Sequence, residues 1–179
     1  MRPATLLVAA ALLTATACSS SASPATAPAA SGTAAAAGAA APKPVPAKDA
    51  AAVLASLAAA VPSAKQGTVV TEASDANHLL GRPGQYTSKV TFTDSRIQAA
   101  DVDGFKEDDV ERGGAVEVFA SAKDAQTRAA YIQSVVKGLP ALMEYDFVHG
   151  PVVVRASRFL TPTQAGELDK AAAVFGAGS

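Results

Sequence analysis

From residue 49 onward, apolar side chains recur in two rhythms, one near 3.6 residues and one of two residues, and these lay out the folded part of the chain. Val53, Leu54, Leu57 and Val61 fall on one helical face behind Asp49, a suitable N-cap, and Pro62 stops that helix. Residues 67–71 read as a short strand. Residues 86–94 alternate, with Ser88, Val90 and Phe92 pointing one way and Lys89, Thr91 and Thr93 the other, the pattern of a strand with one buried face. Residues 115–120 form a further strand. Ser121 and Asp124 then open a helix whose apolar stripe is Ala122, Ala125, Ala129, Ile132 and Val136, and Gly138 and Pro140 close it. Residues 142–148 and 152–157 read as strands joined at His149-Gly150-Pro151. Thr161-Pro162-Thr163-Gln164 carries a cap, a proline at the first helical position and a glutamine at the third, so a last helix follows, with Leu168, Ala172 and Phe175 on its apolar face.

Two hairpin-like pairs around a central helix predict an α+β domain. The expected architecture is a mostly antiparallel sheet of about four strands with helices packed on one face, preceded by a disordered tail.

The N-terminal third follows other rules. Met1-Arg2-Pro3 is a short positive start, and residues 4–13 form an uncharged apolar run of signal-peptide length, too short to span a bilayer as a helix. Ala15-Thr16-Ala17 supplies small residues for cleavage, and Cys18, the single cysteine of the chain, follows at once. Small residues ending in cysteine after such a run resemble a bacterial lipobox, in which the cysteine sulfur receives a diacylglycerol. Ala15 departs from that pattern, where leucine is preferred. Read instead as an ordinary A-x-A site, the same residues give a freely secreted protein. Residues 18–48 are rich in Ala, Ser, Thr, Gly and Pro and hold nothing that could bury a core. As a coil they average ~30 Å end to end, and extended they reach ~90 Å, suitable dimensions for a tether. The expected organisation is therefore a signal peptide over 1–17, a lipid-anchored linker over 18–48 and one α+β domain over 49–179. The expected location is the outer face of the cell membrane, with the membrane as partner through a lipid on Cys18.

Composition narrows the function classes. The 179 residues carry a formal net charge of -1, which argues against a nucleic-acid binder. The hydrophobic fraction of 49% owes much to alanine, aromatics are 5% and there is no Trp. One cysteine excludes a disulfide framework within the chain.

Chemical signatures are sparse. Phosphate-cradling glycine loops, nucleophile elbows and metalloprotease helices are absent from the sequence. Ser134-Val135-Val136-Lys137 matches the serine acyl-enzyme spacing S-x-x-K, but near the end of a helix rather than its start, and without the companion motifs. Asp101, Asp103, Glu107, Asp108, Asp109 and Glu111 crowd one loop, yet their spacing fails the calcium-loop pattern, and a solvated acidic loop accounts for them. His149 at a hairpin turn, with Asp146 nearby, has the residue types of a general base but no evident nucleophile. The densest segment is residues 77–86. There Arg82 could hold a carboxylate or phosphate, Tyr86 could stack on a ligand, and His78 is a donor or acceptor. The competing reading is a structural loop in which Arg82 pairs with Asp75 or Asp94. Pro83-Gly84 suits the centre of a type II turn.

The stretch 79–89, then Val116-Glu117-Val118-Phe119, then residues 145–150, resembles a family of uncharacterised exported lipoproteins of high-GC actinobacteria. The resemblance covers most of the folded part. It implies export and a single domain, and it carries over no catalytic residue, metal or cofactor. The expected function is a non-enzymatic envelope module that binds an envelope protein or a small ligand, with His78, Arg82 and Tyr86 as candidate ligand-binding residues. The alternatives are a small exported hydrolase or transferase, and an inhibitor or accessory subunit of an exported enzyme.

Overall fold

The computed structural model describes residues 49–176; the signal, Cys18 and the linker expected over 18–48 lie outside them. Three helices and five strands follow one another as α1 (Ala50–Ala60), β1 (Ala64–Val69), β2 (Tyr86–Asp94), β3 (Gly113–Phe119), α2 (Ala122–Val136), β4 (Glu144–His149), β5 (Val152–Ser157) and α3 (Pro162–Ala172). The strands form one antiparallel sheet in the order β1-β2-β3-β5-β4. The domain is thus α+β with an antiparallel sheet of five strands, where about four were expected, and β1 begins three residues before the short strand read over 67–71. No helix of the described residues is long and apolar enough to cross a membrane.

Local signals set the helix starts. Asp49 accepts a hydrogen bond from the amide of Ala51 at 3.0 Å. Ser121 accepts from the amide of Asp124 at 3.1 Å. Thr161 and Gln164 close a full capping box, each side chain satisfying the other's backbone N–H. The loop Gly150-Pro151 joins β4 to β5, with Gly150 at φ 55°. Residues 140–142 form a 3-10 turn, so β4 begins two residues later than its alternation suggested.

The helices occupy both faces of the sheet, not one. Val53, Leu54 and Leu57 of α1 and Leu168 and Ala172 of α3 pack with Val90, Phe92, Val116, Val118, Val152 and Val154. Ala125 and Ala129 of α2 pack on the opposite face with Tyr86, Phe119 and Val153. The alternation misled because the second face of β2, with Lys89 and Thr91, reads as solvated, and Glu117 and Arg155 share that face. Lys89, Thr91 and Glu117 are in fact buried.

Two backbone features set which side chains meet. A register shift in β2 between Tyr86 and Ser88 turns Tyr86 toward α2, whereas Ser88 bonds to Asp49 at the start of α1. Gly114 sits where any Cβ would collide with the carbonyl oxygen of Arg155 and the ring of Phe92, so β3 and β5 can close over that ring only with glycine there.

Candidate functional site

The α2 face is only partly covered. α2 lies against β3, β4 and β5. Beside it, over β2 and between the segments around residues 70–77 and 106–111, a cleft of about 660 Å³ opens to solvent. Its floor is ionic. Glu117, fully buried at the centre of β3, receives Lys89 Nζ at 3.4 Å, Arg128 Nε at 3.2 Å and Arg155 Nη1 at 3.3 Å. Burial works to raise the pKa of Glu117, but the charges of Arg155, Lys89 and Arg128 outweigh it and hold the carboxyl below its ordinary range. Arg155 also donates Nε–H and Nη2–H to the two carboxylate oxygens of Glu144, each at 2.8 Å, a bidentate pair.

The antiparallel register explains the assembly. Lys89 stands opposite Glu117 across β2 and β3, Ala115 stands opposite Arg155 across β3 and β5, and Asp146 stands opposite Arg155 across β4 and β5. Adjacent and diagonal neighbours on one face therefore bring Lys89, Glu117 and Arg155 together, and Arg128 descends on them from α2. Beneath lies Tyr86, its ring 5.2 Å from Lys89 Nζ and 5.9 Å from the guanidinium carbon of Arg128.

The wall on the α2 side is apolar. Tyr131, Val135 and Leu142 line the cleft, and Met143, next to Leu142 along the chain, and Leu139, one turn before it, are exposed as well. Tyr131 is 61% exposed and Met143 55%, high values for side chains of this kind. Lys137 is the one charged residue between Arg128 and Glu144. The opposite wall carries Lys106, Asp108, Asp109 and Glu111.

Asp146 stands apart from the cleft lining. Its side chain is 1% exposed, Oδ2 accepts from Gln133 at 2.6 Å, and Oδ1 has no hydrogen-bond partner. Burial first, and then the negative charge of Glu144, push its pKa up to about 7.

The residues singled out in the sequence do not converge. Tyr86 is fully buried, so its ring is not available to stack on a ligand; its hydroxyl is bonded to Asp75. His78, at φ 53°, and Arg82 border a separate hollow of about 350 Å³ with Glu72 and Leu80. Arg82 pairs with neither Asp75 nor Asp94: Asp75 is bonded to Tyr86, and Asp94 to Arg96. The Pro83-Gly84 turn is present, with Gly84 at φ 72° and the Gln85 amide bonded to the Arg82 carbonyl at 3.0 Å. His149 and Asp146 point to opposite faces of β4, and His149 Nε2 lies 2.7 Å from Asp169 Oδ1 of α3. Ser134 donates to the carbonyl of Tyr131. In the acidic loop, Asp109 accepts from the Lys106 amide, and no cluster suited to a metal occurs among the described residues.

Sequence reasoning missed Lys89, Glu117, Arg128 and Arg155. One signal was available: a lone charge inside each of two apolar strands, Val116-Glu117-Val118 and Val152-Val153-Val154-Arg155, marks a buried ionic group more readily than a solvated one. Comparison of the chain with protein-family models, curated proteins and solved structures finds no match.

Proposed function

We infer that this chain is a lipid-tethered, extracytoplasmic binding module of the cell envelope, without catalytic activity, whose ligand seats in the cleft beside α2. The observation that carries the reading is the state of Arg128 and Lys89. Both are more than nine-tenths buried, at 9% and 8% exposure, and both border the cleft. Among the described residues Arg128 donates only its Nε–H, to Glu117, so its two terminal nitrogens retain donors without protein acceptors. Lys89 meets Glu117 alone. Cationic donors that border a cleft and have no protein acceptor favour a ligand that brings one.

Binding is favoured over catalysis by the carboxylates. Glu117 is held below its ordinary pKa by the cations around it, both oxygens of Glu144 are occupied by Arg155, and Asp146 does not line the cleft. Tethering rests on Cys18 and its flanking residues. A diacylglycerol with a further amide-linked chain would anchor the protein stably, because two or more acyl tails are needed for that.

Two measurements test the proposal. Cys18→Ser should move the protein from the membrane fraction to the medium; an intact mass showing unmodified Cys18 in the native protein would remove the anchor. Recovered from its native envelope, the protein should carry a bound small molecule in native mass spectrometry, and a folded Arg128→Met variant should not. A ligand that persists in Arg128→Met would place binding elsewhere.

A further inference from the structure

We propose that the cleft takes the single anionic head of an amphiphile, with the alkyl tail lying along the apolar strip from Tyr131 to Met143. The inference rests on the binding reading above and specifies its ligand class.

The head is assigned by the floor. On the floor Arg155 is committed to Glu117 and Glu144, whereas Arg128 and Lys89 each meet Glu117 alone among the carboxylates and keep further donors unused. A carboxylate or a singly charged phosphodiester supplies the missing acceptors, and charge-assisted bonds of this kind are the strong ones. The far wall restricts the choice. Asp108, Asp109 and Glu111 would repel a second negative group, and Lys106 only partly offsets them.

The tail is assigned by continuity. Tyr131 and Val135 are one helical turn apart on α2 and Leu142 follows in the next turn, so the apolar wall starts beside the Arg128 guanidinium, which lies 6.0 Å from the Tyr131 ring. Leu139 and Met143, exposed and flanking Leu142 along the chain, offer further apolar surface to an alkyl chain longer than the cleft. Covering these exposed side chains supplies the driving force that a small polar anion lacks.

The test uses the full chain carrying Cys18→Ser, so that no acyl group of its own competes. Monomeric dodecanoate, dodecyltrimethylammonium and butyrate are titrated by calorimetry, and vesicles with and without phosphatidylglycerol are assayed by co-sedimentation. Dodecanoate should bind at least about tenfold more tightly than either control. Val135→Asp, an exposed change that spares the core, and Arg128→Met should each weaken it about tenfold, with Arg128→Lys recovering part of the loss. Binding to phosphatidylglycerol vesicles alone, with the same variant pattern, supports the same head-and-tail chemistry and identifies membrane lipid as its source. Equal affinity for the two twelve-carbon probes, or dodecanoate binding indifferent to both variants, overturns the proposal. Failure to bind any of these, by a protein that still carries an Arg128-dependent envelope ligand, overturns the amphiphile and leaves the cleft reading standing.

Discussion

Tyr86 shares its phenol hydrogen between the two carboxylate oxygens of Asp75, with Oη 2.7 Å from Oδ1 and 2.8 Å from Oδ2. Asp75 also accepts from the amides of Asn77, Leu79 and Leu80, so one buried carboxylate pins the start of the 77–86 loop to the first residue of β2. Burial would raise the pKa of Asp75, but the hydrogen bonds from Tyr86 and the three amides lower it to about 2. The same burial, followed by the bond to Asp75, raises that of Tyr86. The loop that was densest in chemical residue types is thus held from within.

Tyr86→Phe should destabilise the domain by ~1–3 kcal/mol, because it removes a donor and leaves buried Asp75 underpaired. Chemical denaturation at neutral pH measures this. The sign with acid follows from the lowered pKa: Asp75 contributes stability above about pH 4 and loses it as pH falls toward about 2. Asp75→Asn should be less stable at neutral pH and should show a shallower loss in that acid window.

Gly84→Val should cost ~1 kcal/mol or more, since it forces a β-branched residue to a φ of 72° at the centre of the turn. Arg82→Ala should leave the melting temperature unchanged within error, as Arg82 is exposed and makes no ion pair among the described residues. A large loss in Arg82→Ala would mean the guanidinium has a partner that this geometry lacks.

Glu117→Gln should destabilise by ~3–5 kcal/mol, for it leaves buried Lys89 and Arg128 without a carboxylate and Arg155 with Glu144 alone. Urea unfolding of this variant beside Lys89→Met provides the contrast. The lysine change removes only one of three partners and should cost clearly less. Equal costs would show that Glu117 is not the hub of the cluster.

Asp146 predicts a pH dependence of opposite sign to that of Asp75. Its folded pKa, about 7, lies above the ordinary aspartate value, so the folded state binds the proton more tightly than the unfolded chain does. Stability from this group is fully present below about pH 4 and falls as pH rises through 7. The charges facing it are Glu144 and Arg155, with Gln133 as its hydrogen-bond donor. Denaturation between pH 4 and 8 should show this fall in the unmodified chain, and Asp146→Asn should reduce it. An identical profile in the two proteins would mean that Asp146 is ionised throughout.

The elements were legible in the sequence wherever a local cause sufficed. Asp49, Ser121 and Thr161 cap their helices because a side-chain oxygen one turn from free amides satisfies them in any tertiary setting. Pro83-Gly84 makes its turn because the two residues' own backbone preferences demand it. The two-residue rhythm of β2 and the stripe of α2 were likewise readable, since one buried face was enough to print them.

What only the tertiary structure decided was which faces meet. Periodicity sorts side chains into two sides of a strand, but it does not say what covers the polar side, and so α2 could not be placed opposite α1 and α3. The register shift at Tyr86 reverses one side chain without leaving a mark in the spacing, which made that residue a support for the cleft rather than a surface ring. The floor of the cleft draws Lys89, Glu117, Arg128 and Arg155 from four elements. Their sequence separations carry no motif, because strand pairing and the docking of α2, not neighbouring positions along the chain, bring their charges within reach of one another. The N-terminal signal and its cysteine stand at the other extreme: there the meaning lies in local residue order, with no packing needed to express it.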